Sequence, residues 1–114
     1  MAIDIPYLVG YTLLVTFRKR WTKSGLSEED LRELEGFLLE HPEAGDMVQG
    51  TGGVRKIRWA LPGRGRSGGV RAIYVDFADR ETTWLITVFG KNEKVDLSAE
   101  ERREIKLFVK RIKG

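Results

Sequence analysis

Three stretches of alternating apolar residues, separated by short turns, constrain this chain more than any other feature. Val54 to Leu61 sets Ile57, Trp59 and Leu61 against Lys56, Arg58 and Ala60. Val70 to Phe77 follows a glycine-rich basic loop, Pro62 to Gly69, and Trp84 to Phe89 follows a polar turn, Ala78 to Glu81. Strand side chains alternate between faces with a period of two, and consecutive strands joined by short turns pair antiparallel. The expected unit is therefore an antiparallel meander, on which Lys56 and Arg58 project from the same face, two residues apart.

Such a sheet needs a covering layer, and two amphipathic helices are available for it. Ser27 is placed to cap a helix whose first turn, Glu28, Glu29 and Asp30, suits the positive end of the dipole. Leu31, Leu34, Phe37 and Leu38 form its apolar stripe, and Pro42 stops it near Glu40. Ser98 with Glu101 has the capping-box spacing ahead of a C-terminal stripe of Ile105, Phe108, Val109 and Ile112. Upstream, Leu8 to Phe17 reads as a first strand with Tyr11, Leu13, Val15 and Phe17 on one face, followed by a basic amphipathic turn, Arg18 to Lys23. Gly50-Thr51-Gly52-Gly53 is a flexible or tightly turned approach to the second strand. The resulting order is β-α-β-β-β-α, an α+β fold with a mainly antiparallel twisted sheet and helices packed on it. No internal repeat or boundary divides residues 1–114, so a single domain is expected.

With 114 residues and no cysteine, the core has to hold without disulfides, and thiolate metal sites are excluded. His41 is the single histidine, too few nitrogen ligands for a typical zinc site; no metal or cofactor is expected, and His41 reads as a helix-end residue. Absence of cysteine fits a reducing cytoplasm. The apolar run Ile5 to Phe17 is shorter than the roughly 20 residues of a membrane-spanning helix and is interrupted by Pro6 and Gly10. Asp4 stands where a signal peptide would carry positive charge. A buried strand is the better reading, with no membrane association.

Charge is distributed unevenly. Between Asp46 and Asp76 there is no acidic residue, while Arg55, Lys56, Arg58, Arg64, Arg66 and Arg71 all fall inside. The chain as a whole carries +3, so everything outside this segment is net acidic. A cationic segment on a mildly acidic body focuses positive potential and suits a polyanionic partner.

These residues also resemble a known family. Gly45-Asp46-Met47-Val48-Gln49-Gly50-Thr51-Gly52-Gly53-Val54-Arg55-Lys56-Ile57-Arg58-Trp59 is similar to a sequence block of HigB-like toxins in the RelE/ParE superfamily. Gly63-Arg64-Gly65-Arg66-Ser67-Gly68-Gly69-Val70-Arg71 resembles their glycine-rich loop, with Arg66 in place of the usual lysine. Lys91-Asn92-Glu93-Lys94-Val95-Asp96-Leu97-Ser98 resembles their C-terminal block. The three blocks occur in the family's order and the resemblance spans residues 13–112. It implies a compact type II toxin that cuts messenger RNA on the ribosome without a metal. It also implies a cognate antitoxin, in HigB-like systems often a helix-turn-helix protein of the HigA type.

Cleavage without metal requires activation of a 2′-OH, stabilisation of added negative charge on the phosphorane, and a proton for the departing 5′-oxygen. Arginine forks match phosphate oxygens and stay charged at any relevant pH. Arg58 and Arg71 are accordingly the candidate phosphate clamp. Lys56, whose amine neighbouring arginines would shift toward its neutral form, is the candidate base. Arg55, Arg64, Arg66, Lys91 and Lys94 are the candidate RNA-binding cations. The bland alternative for all of them is solvated charge on an exposed sheet and loop. Trp59 and Tyr74 are possible base-stacking platforms, with core packing the better reading for Trp59; Glu93 reads as a structural partner of Lys91 or Lys94. HigB-like sequences usually carry tyrosine where this chain has Phe89, which leaves the leaving-group acid unassigned. Two rivals keep the fold: a ParE-like inhibitor of DNA gyrase, and a non-catalytic nucleic-acid-binding module.

Overall fold

The computed structural model describes residues 17–60, 69–77, 82–90 and 96–113. It contains a helix over residues 17–23 (α1), α2 at Glu28–Glu40, strands β1 at Asp46–Met47, β2 at Arg55–Trp59, β3 at Val70–Phe77 and β4 at Thr82–Gly90, and α3 at Ala99–Lys113. The strands form one antiparallel sheet in the order β1-β2-β3-β4, the meander expected from the alternation plus a two-residue β1 that is too short to leave a periodic signal. The expected strand from Leu8 lies outside the described residues as far as Thr16.

One expectation is corrected at residue 17. Phe17 belongs to a helix rather than to the end of a strand, and Arg18 to Lys23 continue that helix rather than forming a turn. Phe17 fits the period-two pattern before it, but it is also four residues from Trp21. On a helix these two side chains share a side, both are buried, and their rings stack at 5.8 Å. The Trp21 indole N–H donates to the Ser27 carbonyl at 2.8 Å, so the indole fixes the corner into α2. Gly25, at φ 84°, supplies the left-handed residue that ends α1.

Helix α2 starts and stops as its sequence dictates. The Asp30 N–H donates to Ser27 Oγ at 3.1 Å and the Ser27 N–H to Asp30 Oδ2 at 2.9 Å, a reciprocal capping box. His41 closes the other end, its N–H donating to the Phe37 carbonyl at 2.8 Å. Helix α3 opens on the same device: the Glu101 N–H donates to Ser98 Oγ and the Ser98 N–H to Glu101 Oε1.

The sheet separates two apolar layers. On one face, Ile57, Val70, Ala72, Tyr74, Leu85 and Val88 meet Phe17, Trp21, Leu26, Leu31, Leu34 and Leu38 of the α1–α2 hairpin. On the other, Ile73, Val75, Phe77, Trp84, Ile86 and Phe89 meet Ile105, Phe108 and Val109 of α3. A bulge in the β3–β4 ladder makes this division possible. Ile73 pairs with Thr87 but Tyr74 pairs with Leu85, so Ile86 is an extra residue on β4. Strict alternation would put Trp84 and Ile86 opposite Phe89; the inserted residue brings all three to the α3 face.

The glycine run before β2 is a tight turn. Gly50, Gly52 and Gly53 have φ of 77°, 82° and 114°, which residues with a Cβ rarely adopt. Thr51 is fully buried; its hydroxyl donates to the Val48 carbonyl at 2.6 Å and accepts from the Val54 N–H at 3.3 Å. The run shapes a corner instead of cradling an anion. Two α3 side chains tie down the same corner: Lys113 Nζ donates to the Gly52 carbonyl and Arg102 Nη1 to the Gln49 carbonyl.

A cationic sheet face as the candidate site

Pairing in the sheet decides which cations meet. On β2, Lys56 and Arg58 project to the α3 side while Arg55, Ile57 and Trp59 project to the α1–α2 side. In the β2–β3 ladder Arg58 lies directly opposite Arg71. Cβ atoms of directly opposed residues are about 4.5–5.5 Å apart, and Lys56 lies about 7 Å along the strand from Arg58. Lys56, Arg58 and Arg71 therefore share one patch of one face. Like charges directly opposite one another destabilise a sheet, so folding alone gives no reason for this pairing.

The surroundings of the patch are asymmetric. Arg71 pairs with Phe89 on β4 and Lys56 with Ile73 on β3, so one side is a buried apolar wall, with Phe89 and Ile73 both inaccessible to solvent. Arg58 is exposed and Arg71 half-buried. A low-dielectric wall strengthens the field of charges set against it. At the position where a tyrosine was expected, Phe89 is thus part of the floor beside Arg71.

Lys56 has a carboxylate partner. Its Nζ lies 3.4 Å from Asp96 Oδ1, while Asp96 Oδ2 accepts from Arg102 Nη2 at 3.1 Å and Asp96 Oδ1 accepts from the Leu97 N–H at 2.8 Å. Burial works to raise the Asp96 carboxyl, but the Leu97 N–H, the Lys56 ammonium and the Arg102 guanidinium outweigh it and hold the carboxyl below its ordinary value. Asp96 was not singled out in the sequence. The signal that could have found it is its position two residues ahead of the Ser98 cap.

The other expected binders divide. Arg55 is on the opposite face of the sheet; its guanidinium donates to the Gly45 carbonyl at 2.8 Å and the Glu43 carbonyl at 3.4 Å, bracing the α2–β1 connection. It does not join Lys56, Arg58 and Arg71. Arg64, Arg66, Lys91 and Lys94, and Glu93 with them, lie outside the described residues. Tyr74 is no stacking platform: it is fully buried, its hydroxyl donates to the Pro42 carbonyl at 2.8 Å and accepts from the Gly45 N–H at 3.0 Å. Burial, chiefly, pushes its phenol above the ordinary value. Trp59 is half-buried, packed 5.5 Å from the Phe37 ring. His41 caps α2 with its ring 4.9 Å from Phe37; it borders an open depression of about 450 Å³ lined by Phe37, Glu40, His41, Pro42, Glu43 and Ala44, none of them among the candidate site residues.

Among the described residues, no group of three or more histidine or carboxylate side chains is gathered to hold a metal ion, and no helix is long and apolar enough to cross a membrane. The chemistry on offer is that of fixed cations beside an apolar wall.

An antiparallel sheet with helices on both faces and clustered cations on one of them defines a class, the small α+β domain whose strands present charge. A family model for the RelE toxin of the RelE/RelB toxin–antitoxin system matches residues 15–114. The chain belongs to the RelE toxin family, the toxin half of a toxin–antitoxin pair. The structure is similar to that of the E. coli toxin RelE, solved as an arginine-to-alanine double mutant in the free state, with a TM-score of 0.52 and 26% identity over 85% of this chain and 90% of that one.

Proposed function

We propose that this toxin is an endoribonuclease of the HigB-like kind that cuts messenger RNA presented by the ribosome, and that Lys56, Arg58 and Arg71 are its catalytic residues. The observation that carries the reading is the placement of Arg58 directly opposite Arg71, with Lys56 on the same face. Juxtaposed guanidinium groups are unfavourable until an anion lies between them, and a phosphate is the anion their forks fit.

In the proposed reaction the 2′-oxygen attacks the adjacent phosphorus and the bond to the 5′-oxygen breaks, leaving a 2′,3′-cyclic phosphate and a 5′-hydroxyl. Arg58 and Arg71 stabilise the charge that builds on the phosphorane, where preorganised donors act most strongly. Lys56 handles a proton. In place of the base role expected from the sequence, Lys56 is assigned protonation of the leaving 5′-oxygen, the task that Phe89 cannot perform, with its Nζ placed 3.4 Å from Asp96 Oδ1. The 2′-OH proton then passes to water. Arg64, Arg66, Lys91 and Lys94 are proposed to grip RNA outside the cleavage patch, and a helix-turn-helix antitoxin of the HigA type is the proposed partner in a cytoplasmic setting.

The test is cleavage of a short synthetic message on programmed ribosomes. The wild type is expected to produce a single break with a cyclic phosphate end. A 2′-deoxy residue at the break should abolish it, and Arg58→Ala and Arg71→Ala should each slow it. Lys56→Met should keep only a small, measurable part of its activity on an ordinary message and regain the rest when a 5′-thio leaving group, which needs no proton, replaces the 5′-oxygen. An intact message with the wild type overturns the reading; inhibited gyrase in its place would make the chain a ParE-like toxin.

A further inference from the structure

On this ribonuclease reading, Lys56 poses a physical problem that the geometry answers. Lysine carries its charge on a flexible stem, and Arg58 and Arg71 on the same face repel that charge. An ammonium placed among guanidinium groups swings away unless something attractive holds it. Two carboxylates share the surroundings of Lys56: Asp46 stands directly opposite it on β1, and Asp96, just before the Ser98 cap of α3, is the one whose side chain forms an ion pair with it. Its Oδ1 is 3.4 Å from Lys56 Nζ, its Oδ2 accepts from Arg102 Nη2 at 3.1 Å, and its own orientation is fixed by the Leu97 N–H at 2.8 Å. The Lys56 side chain is 25% exposed and that of Asp96 42%, so the pair sits at the rim of the patch, within reach of substrate.

We propose that Asp96 is a positioning residue for the cleavage site: it holds the Lys56 ammonium against the repulsion of Arg58 and Arg71 and anchors it, through Arg102, to the first turn of α3. Asp96 acts through Lys56 and does not itself touch the reacting atoms. Placement of the proton donor then depends on how α3 is seated, because Arg102, which donates to both Asp96 and the Gln49 carbonyl, belongs to that helix. A surface ion pair of this kind adds little to stability; its value lies in fixing a direction.

A double-mutant cycle on programmed ribosomes tests this, with Asp96→Asn, Lys56→Met and the combined variant. Asp96→Asn is expected to lower kcat about ten-fold with KM unchanged, a coupling of ordinary size for residues in contact. In the Lys56→Met background it should have no further effect, and Asp96→Glu should recover most of the rate. A full, additive loss in the double variant would mean that Asp96 acts on the fold and not through Lys56, and the proposal falls; so it does if Asp96→Asn cuts at the wild-type rate. A second measurement is independent of cleavage. The Lys56 ammonium resonance of the free toxin should be visible in nitrogen-detected NMR of the wild type and broadened by solvent exchange in Asp96→Asn. An unchanged resonance overturns the positioning role whether or not the toxin cuts RNA. A wild type with the expected resonance change but no cleavage retains the contact and overturns the ribonuclease reading, and with it the catalytic purpose assigned here.

Discussion

Single residues in this toxin separate into those that serve the fold and those that work against it. Arg71 is of the second kind, placed opposite Arg58. Arg71→Gln is expected to reduce cleavage by about 100-fold while leaving the melting temperature equal to the wild type's or higher, since a like-charge pair is removed. Thermal unfolding beside the ribosome assay checks both halves, and a fall in stability would show Arg71 to be structural. Tyr74 is of the first kind. Tyr74→Phe removes the acceptor of the buried Gly45 N–H and the donor to the Pro42 carbonyl, and should cost about 1–3 kcal/mol in urea unfolding. Alternation made Lys56 and Arg58 legible as neighbours on one face, but whether Arg71 joins them depends on the β2–β3 register, which the structure supplies. Arg55 was not legible in its role. Its charge resembles theirs, and only the odd–even parity of β2 and the proximity of the Gly45 carbonyl distinguish a brace from a binder.

At the scale of elements, the helices were legible where their ends carry chemistry of their own. Ser27, Pro42 and the Ser98–Glu101 pair gave the limits of α2 and α3 because caps are local hydrogen bonds. The start of α1 was not, since Phe17 satisfies both a period of two and a spacing of four, and burial beside Trp21 decides between them. The bulge at Ile86 left no trace either: an inserted residue in a strand whose apolar residues run together, Trp84-Leu85-Ile86, breaks no visible alternation, yet it places Phe89 opposite Arg71. Asp96 joins β2 to α3 and gives this junction a pH dependence. Its folded carboxyl is held below the ordinary value, so its contribution is complete above about pH 4 and is lost as pH falls through the folded value. Asp96→Asn should therefore melt slightly below the wild type at pH 7, and the gap should close on acidification; a gap constant down to pH 3 would contradict stabilisation of the Asp96 carboxylate by the Leu97 N–H, Lys56 and Arg102.

For the whole molecule, the charge segregation visible in the sequence is carried in part into space: Lys56, Arg58 and Arg71 share one face of the sheet, while Arg55 lies on the other. Among the described residues, the α1–α2 hairpin covers one side of the sheet and α3 part of the other, the side on which Lys56, Arg58 and Arg71 lie. Association with RNA should be dominated by counterion release, with log affinity falling linearly in log salt. Arg58→Ala should flatten the slope by about 0.7, the value for one phosphate on a single strand, in fluorescence titrations from low to moderate salt. The antitoxin side of the pair was legible only as a family property, because nothing in a single chain's pattern specifies which surface a partner covers.

The confrontation of Arg58 and Arg71 across one rung of the ladder has a thermodynamic corollary. A native state that sets two cationic residues opposite each other is expected to bind anions better than the unfolded chain does, so mass action ties folding to anion concentration. Inorganic phosphate or a short oligonucleotide should raise the melting temperature of the toxin, and the Arg71→Gln protein should lose most of that response. On the ribonuclease reading proposed above, the RNA backbone would act as a folding cofactor as well as a substrate.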